Sequence, residues 1–107
     1  MAIVINIAET YTKKPGGRFK KEGPFSGEDF RDSVLYPEFC KTKQNNDVLI
    51  VNLDGGYGYA TSFLEEAFGG LARKTKDSAV LAIKIISEEE PQLVEKIQLY
   101  MKDALKK

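Results

Sequence analysis

The residues that could carry chemistry are concentrated in one glycine-rich segment. The run Asp54-Gly55-Gly56-Tyr57-Gly58-Tyr59 follows an apolar stretch and leads into Thr61 and Ser62. Open α/β sheets place functional loops at the carboxyl ends of their strands. Such a loop running into a helix also presents free backbone N–H groups and the positive end of the helix dipole. The segment therefore predicts a surface that favours an anion or a phosphorylated hydroxyl.

The hydroxyl of Ser62 has two roles open to it. Because Glu65 follows three residues later, the pair has capping-box spacing, and helix capping is the first expectation for Ser62. Capping does not exclude a switch, since a phosphate at a helix N-terminus gains the dipole and free N–H donors but is repelled by nearby carboxylates. Glu65 and Glu66 would supply that repulsion. We predict Ser62 as the phosphoacceptor, with Thr61 as the second choice.

The composition argues against several kinds of active site. The sequence has no His and a single Cys, which excludes an imidazole base, a His-ligated metal, a Cys-rich zinc site and an internal disulfide. The glycine-rich run lacks the Gly-Lys-Ser/Thr of a P-loop. Glu65 and Glu66 are adjacent, so on a helix they point about 100° apart, unlike the paired carboxylates of a hydrolase. We expect no enzyme, no catalytic residue, no metal and no cofactor.

Charge is balanced over the chain but not along it. Sixteen basic and sixteen acidic residues give a net charge of zero, with five of the bases between positions 13 and 21. An acidic body with a local basic loop is not typical of a nucleic-acid binder, and we interpret the basic stretch as a solvated loop. No apolar run approaches the roughly 18 residues of a membrane span. Residues 1–8 lack the basic region of a signal peptide, so we expect a cytoplasmic protein.

Strand and helix patterns alternate along the chain. Period-two and continuous apolar runs predict parallel strands over residues 3–7, 48–53 and 80–86, the second of them covered on both faces. A Pro-Gly-Gly turn predicts a short further strand over residues 18–20. Helices are predicted from residues 26, 62 and 87, the first ending or kinking before Pro37.

The predicted architecture is a single α/β domain over residues 1–107, with a small, mostly parallel sheet of about four strands and three helices. The helix after residue 62 carries an apolar stripe, and the adjacent Gly69 and Gly70 predict a close approach of this helix to the sheet.

Three stretches resemble a known family. They are residues 15–19 (Pro-Gly-Gly-Arg-Phe), 23–31 (Gly-Pro-Phe-Ser-Gly-Glu-Asp-Phe-Arg) and 62–71 (Ser-Phe-Leu-Glu-Glu-Ala-Phe-Gly-Gly-Leu). Together they resemble the STAS-like domain family of unknown function, over roughly residues 3–86. Residues 52–64 are more distantly similar to the segment of bacterial anti-sigma-factor antagonists that joins a strand to a phosphorylated helix start. Ungapped alignment places their phosphoacceptor serine at Ser62, their preceding serine at Thr61 and their aspartate at Ala60.

This resemblance implies a small mixed sheet with helices mostly on one side and no established enzymatic activity. It also implies reversible binding to a partner such as a histidine-kinase-like ATPase, with the loop and the following helix as the contact face.

Three hypotheses for function follow. The leading one is a regulatory protein-interaction module that binds its partner through residues 54–75 and is modulated by phosphorylation at Ser62. The alternative is a small-ligand or nucleotide-binding domain that uses the glycine-rich loop over residues 54–62. The third is a structural subunit that forms a weak homodimer through a sheet edge or the last helix. The residues expected to bind a partner or ligand are Asp54, Gly55, Gly56, Tyr57, Gly58, Tyr59, Glu65 and Glu66.

Overall fold

Three parallel strands form the sheet in the computed structural model, which describes residues 2–106. The strands are β1 (Ala2–Asn6), β2 (Val48–Asn52) and β3 (Lys84–Ile86), in the spatial order β1-β2-β3. Each strand pairs in parallel with the next. Right-handed crossovers between successive neighbours of this kind place the connecting helices on one side of the sheet. The predicted α/β architecture is confirmed.

The strand expected over residues 18–20 is absent, which leaves three strands in the described chain. The backbone N–H groups of Arg18 and Phe19 both donate to Glu22 Oε1, at 3.0 and 2.8 Å. Because these N–H groups bond to a side chain, they do not pair with a neighbouring strand, and the backbone forms a 3₁₀ turn over Lys20–Glu22.

The third strand is shorter than predicted. Residues 80–82, expected to be its beginning, belong instead to a 3₁₀ turn over Ser78–Ala82. The Asp77 carboxylate accepts a hydrogen bond from Ala79 N at 2.8 Å, and this cap holds the backbone in the turn.

Two of the helices change pitch in the middle. The first single turn is α1 (Ile7–Thr10), and the next helix runs through α2 (Gly27–Phe30), a π-helical stretch (Arg31–Leu35) and α3 (Tyr36–Gln44). The helix was expected to end or kink near Leu35, before Pro37. It does not end there, but its π-helical stretch stops at Leu35, and Pro37 follows as the second residue of α3.

The remaining helices follow β2 and β3. The helix after β2 runs through α4 (Thr61–Leu64), a second π-helical stretch (Glu65–Gly69) and α5 (Gly70–Thr75). The last helix is α6 (Gln92–Leu105). It begins five residues later than predicted, because Ser87 exchanges hydrogen bonds with the backbone of Glu90 and closes a separate turn.

One hydrophobic core lies between the helices and one face of the sheet. Ile5, Val51 and Ile85 point into it from the three strands. The apolar stripe predicted for the helix after β2 is fully confirmed, with all six of its members buried: Phe63, Leu64, Ala67, Phe68, Leu71 and Ala72.

The opposite sheet face is open. Val4 is 60% exposed and Val48 is 50% exposed, so the expected burial of β2 on both faces is wrong. Within residues 2–106, no helix combines the length and the apolar character that a bilayer crossing requires.

Candidate functional site

The loop that leaves β2 is tied to the loop that leaves β3. The Asp54 carboxylate accepts hydrogen bonds from the backbone N–H groups of Glu88 and Glu89, each at 3.0 Å. In return, Gly55 N donates to Glu89 Oε1 at 2.8 Å. Asp54 therefore joins the carboxyl ends of two strands and holds the glycine-rich loop in place.

The loop's glycines allow a tight turn and close packing. Gly55 and Gly58 have φ values of 97° and 120°, a region that side-chain-bearing residues rarely adopt. A Cβ on Gly56 would lie 3.2 Å from the carbonyl oxygen of Lys13. The same carbonyl accepts a hydrogen bond from Tyr57 N at 2.9 Å. The loop therefore lies directly against the start of the basic segment.

The two loop tyrosines play different parts. Tyr57 is 77% exposed, and the Lys14 ammonium lies 5.7 Å from its ring centroid. Tyr59 packs on Phe63 at a ring separation of 5.8 Å and donates its hydroxyl to Leu53 O at 2.9 Å. Burial, reinforced by nearby carboxylates such as Asp54, raises the pKa of Tyr59 to about 12. Tyr57 is thus the aromatic side chain available to a partner, while Tyr59 covers the edge of the core.

The helix after the loop begins one residue earlier than predicted. Ala60 occupies the N-cap position, where no side-chain hydrogen bond caps the helix. Ser62 is therefore not the cap, and its capping-box pairing with Glu65 is wrong. Thr61 is exposed and Ser62 is partly exposed, both within the first turn. Two accessible hydroxyls thus lie at the start of this helix.

Glu65 and Glu66 lie one turn further on and face three arginines. Arg18 Nη1 is 2.6 Å from Glu65 Oε1, and Arg73 Nη1 is 2.6 Å from Glu65 Oε2. Arg31 Nη1 is 2.5 Å from Glu66 Oε2, and Arg18 also reaches Glu66 at 3.3 Å. We call these five residues the arginine–glutamate cluster. The hydrogen bond from Arg73, together with that from Arg18, lowers the pKa of Glu65.

The paired glycines make room for this cluster. A Cβ on Gly69 would lie 2.5 Å from Glu65 Oε2, and one on Gly70 would lie 2.6 Å from Arg31 Nη1. The predicted close approach of these glycines to the sheet is therefore wrong, because the neighbours that crowd them are charged side chains.

The structure separates the predicted site residues into three groups. Asp54 and Gly55 face the loop after β3, Tyr57 is exposed above the basic segment, and Glu65 and Glu66 are held in the arginine–glutamate cluster. Whether these residues bind a partner stays a prediction.

The arginines of the cluster were not predicted from the sequence as members of the site. The stretches quoted for the family resemblance did contain Arg18 and Arg31. However, no local pattern links Arg18 to a glutamate 47 positions away.

Part of the glycine-rich loop already has its hydrogen-bonding groups engaged within the chain. Among residues 2–106, no group of three or more acidic or cysteine side chains is placed to hold a metal ion. The N–H groups of Asp54, Gly55 and Tyr57 already have acceptors within the chain. A cavity of about 220 Å³ lies at the amino end of β2, near Phe39 and Leu49, and no residue of the glycine-rich loop lines it.

Comparison with known proteins identifies the family. Neither the curated proteins nor the solved structures include a significant match to the chain. The family model of a STAS-like domain of unknown function matches residues 26–93, which is more than half of the chain and includes β2, β3 and the helix between them. The chain therefore belongs to the family of STAS-like domains of unknown function.

Proposed function

We propose that this chain is a regulatory protein-interaction module without enzymatic activity. Its contact surface is the loop–helix surface, which we define as residues 54–75. The observation that carries the proposal is that an exposed aromatic side chain, Tyr57, is followed within five residues by two accessible hydroxyls, Thr61 and Ser62. Aromatic side chains held by a rigid loop are typical anchors of protein interfaces. The partner we propose is a histidine-kinase-like ATPase.

Phosphorylation of Ser62 is the proposed switch. A phosphoryl group adds a charge of about −1.5 to −2 near neutral pH. Side chains three and four residues apart on a helix are neighbours, so the new charge would lie near Glu65 and Glu66. Both carboxylates are bound by arginines. The phosphate would therefore compete with Glu65 and Glu66 for Arg18. It would also make the surface that the partner contacts more negative.

The experiment is a calorimetric titration of the purified ATPase with three forms of the full chain: wild type, Ser62→Ala and Ser62→Asp. We expect Ser62→Ala to retain the wild-type affinity and Ser62→Asp to bind about tenfold or more weakly, a difference of about 1.4 kcal/mol. Because Ser62 is not the helix cap, Ser62→Ala should also retain wild-type stability within about 0.5 kcal/mol.

Ser78→Asp is the matched control, because Ser78 is an exposed serine outside the loop–helix surface. Equal affinities of Ser62→Ala and Ser62→Asp would refute the switch. An equal loss in Ser78→Asp would show that the effect is one of overall charge.

A further inference from the structure

The sheet has a second face that the helices leave uncovered. Strand register places Val4, Ile50 and Lys84 side by side across the three strands on this face. Val48 lies one pleat away beside Ala2, and its side chain is 50% exposed. We call this surface the open sheet face. It is formed by the side chains of Ala2, Val4, Asn6, Val48, Ile50, Asn52, Lys84 and Ile86.

An open apolar face is unusual for a sheet of this kind. Parallel sheets occur almost always with both faces covered, because crossover helices and neighbouring elements bury them. Contiguous exposed apolar surface marks a site of interaction. The aliphatic side chains Val4, Val48 and Ile50 are adjacent here, unlike the isolated exposed Leu99 on α6. The open sheet face therefore has the character of an interaction surface.

One charged residue, Lys84, limits which kind of partner can cover the open sheet face. Lys84 lies in the same register row as Val4 and Ile50, and it forms no ion pair within residues 2–106. The three strands contain no acidic residue. A covered ammonium group is costly unless a carboxylate pairs with it. Whatever covers this face must therefore bring its own acidic side chain.

A second copy of the chain does not meet this requirement. Two open sheet faces packed together would bring two Lys84 ammonium groups under one cover. Neither face has a carboxylate in its strands to pair with them. The charge of the face thus argues against face-to-face dimerisation.

We infer that the open sheet face docks an amphipathic helix of a partner, with an acidic residue in its apolar stripe placed opposite Lys84. The dimensions fit such an occupant. The outer strands of a three-stranded sheet are about 10 Å apart, close to the diameter of one helix. The five residues of β2 extend about 16 Å, which about eleven helical residues span. This inference does not depend on the proposed switch at Ser62, which lies in the loop–helix surface.

The test is selection of a displayed library of random peptides, about 16 residues long, on the immobilised full chain. We expect the enriched peptides to share apolar residues at helical spacing with one Asp or Glu within that stripe. A synthetic enriched peptide should bind Lys84→Glu and Val48→Asp about tenfold or more weakly than wild type in fluorescence anisotropy. Replacing the acidic residue of the peptide by Lys should restore binding to Lys84→Glu.

The controls separate docking from misfolding and from general charge. Leu99→Asp and Lys96→Glu make the same chemical changes on the exposed side of α6, and both should bind the peptide like wild type. Since Lys84 and Val48 are exposed, their variants should keep wild-type circular dichroism, and the compensating peptide would show directly that Lys84→Glu is folded.

Three results would overturn the inference. The first is the absence of enriched peptides with the expected stripe. The second is binding of those peptides that is unchanged in Lys84→Glu and Val48→Asp. The third is self-association of the wild-type chain in sedimentation experiments that Val48→Asp abolishes, because the occupant would then be a second copy.

Discussion

At the scale of single residues, the pairing of Arg31 with Glu66 is the most buried charge contact in the described chain. The two side chains are 14% and 11% exposed. Arg31 also donates to Asp32 at 2.9 Å, so its guanidinium has two acceptors. Charges removed from water this far stabilise a fold only while their partners remain. Removing one partner should therefore lower the stability by more than the intact pair raises it relative to an apolar pair.

We predict that Glu66→Gln lowers the free energy of unfolding by about 1.5–3 kcal/mol, the range for hydrogen bonds that involve charged groups. Glutamine keeps the size of the side chain, so the loss comes from the charge opposite Arg31. Urea denaturation measures the change. Glu95→Gln on the exposed side of α6 is the control and should stay within about 0.5 kcal/mol of wild type. A Glu66→Gln variant as stable as its control would show that the pair is dispensable.

At the scale of elements, the packing of α2 on α4 depends on a missing side chain. Ser26 caps α2 by accepting a hydrogen bond from Asp29 N at 3.0 Å. The next residue, Gly27, is buried. A Cβ there would overlap the carbonyl oxygen of Phe63 and lie 3.1 Å from its carbonyl carbon. Because these are backbone atoms at the start of α4, they cannot rotate away.

Gly27→Ala should therefore destabilise the fold by about 1–3 kcal/mol, the usual cost of overpacking. This sign is opposite to the gain that a Gly-to-Ala change normally brings within a helix. Thermal unfolding with calorimetric detection measures the change. Gly17→Ala is the matched control, since its nearest new neighbour is a side-chain atom, Glu22 Oε1 at 3.3 Å, and not backbone. An unchanged or higher melting temperature for Gly27→Ala would contradict the proposed close contact.

The elements were predictable wherever apolar periodicity decided them. The core strands, the buried stripe of the helix after β2 and the family were all recoverable from the sequence. The start of α4 was not, since Ser62 and Glu65 have capping-box spacing, yet Ala60 takes the cap position and Glu65 turns to its arginines. Local spacing cannot register such competition, because the competing partner Arg18 lies 47 positions away in the sequence.

Two apolar segments were also predicted incorrectly, for reasons that apolar character alone does not reveal. Residues 80–82 are as apolar as a strand, but a cap from Asp77 holds them in a 3₁₀ turn. The continuous apolar run of β2 predicted burial on both faces, whereas Val48 is half exposed. Periodicity shows which residues are apolar, but not whether this chain itself supplies enough elements to cover both faces of its sheet.

At the scale of the whole molecule, ion pairs connect segments that are distant in sequence. The contact between Arg18 and Glu65 ties the basic loop to the helix after β2, and Lys43 pairs with Asp77 across a gap of 34 residues. Charged residues make up 30% of the chain. Some of them thus hold together segments that a larger protein would hold together with additional apolar core. The global stability of the chain should consequently depend on the ionisation of these carboxylates.

The acid limb of the stability profile tests this dependence. Hydrogen bonding from Arg73 and Arg18 lowers the pKa of Glu65 from the ordinary value of 4.5. Between its pKa in the unfolded chain and its lower pKa in the folded protein, the unfolded state binds more protons. The stabilisation by Glu65 is therefore fully present above about pH 4.5 and is lost as the pH falls through the folded value.

We predict that the free energy of unfolding of the wild type falls more steeply between about pH 5 and pH 3 than that of Arg73→Gln. The reason is that the variant lacks the contact that contributes most to the lowered pKa of Glu65. Urea denaturation at a series of pH values gives both profiles. Lys96→Gln removes an exposed cation from α6 and should leave the slope unchanged. Parallel profiles for wild type and Arg73→Gln would mean that Arg73 does not lower the pKa of Glu65 in the folded protein, and its contact would then contribute nothing to the acid stability of the molecule.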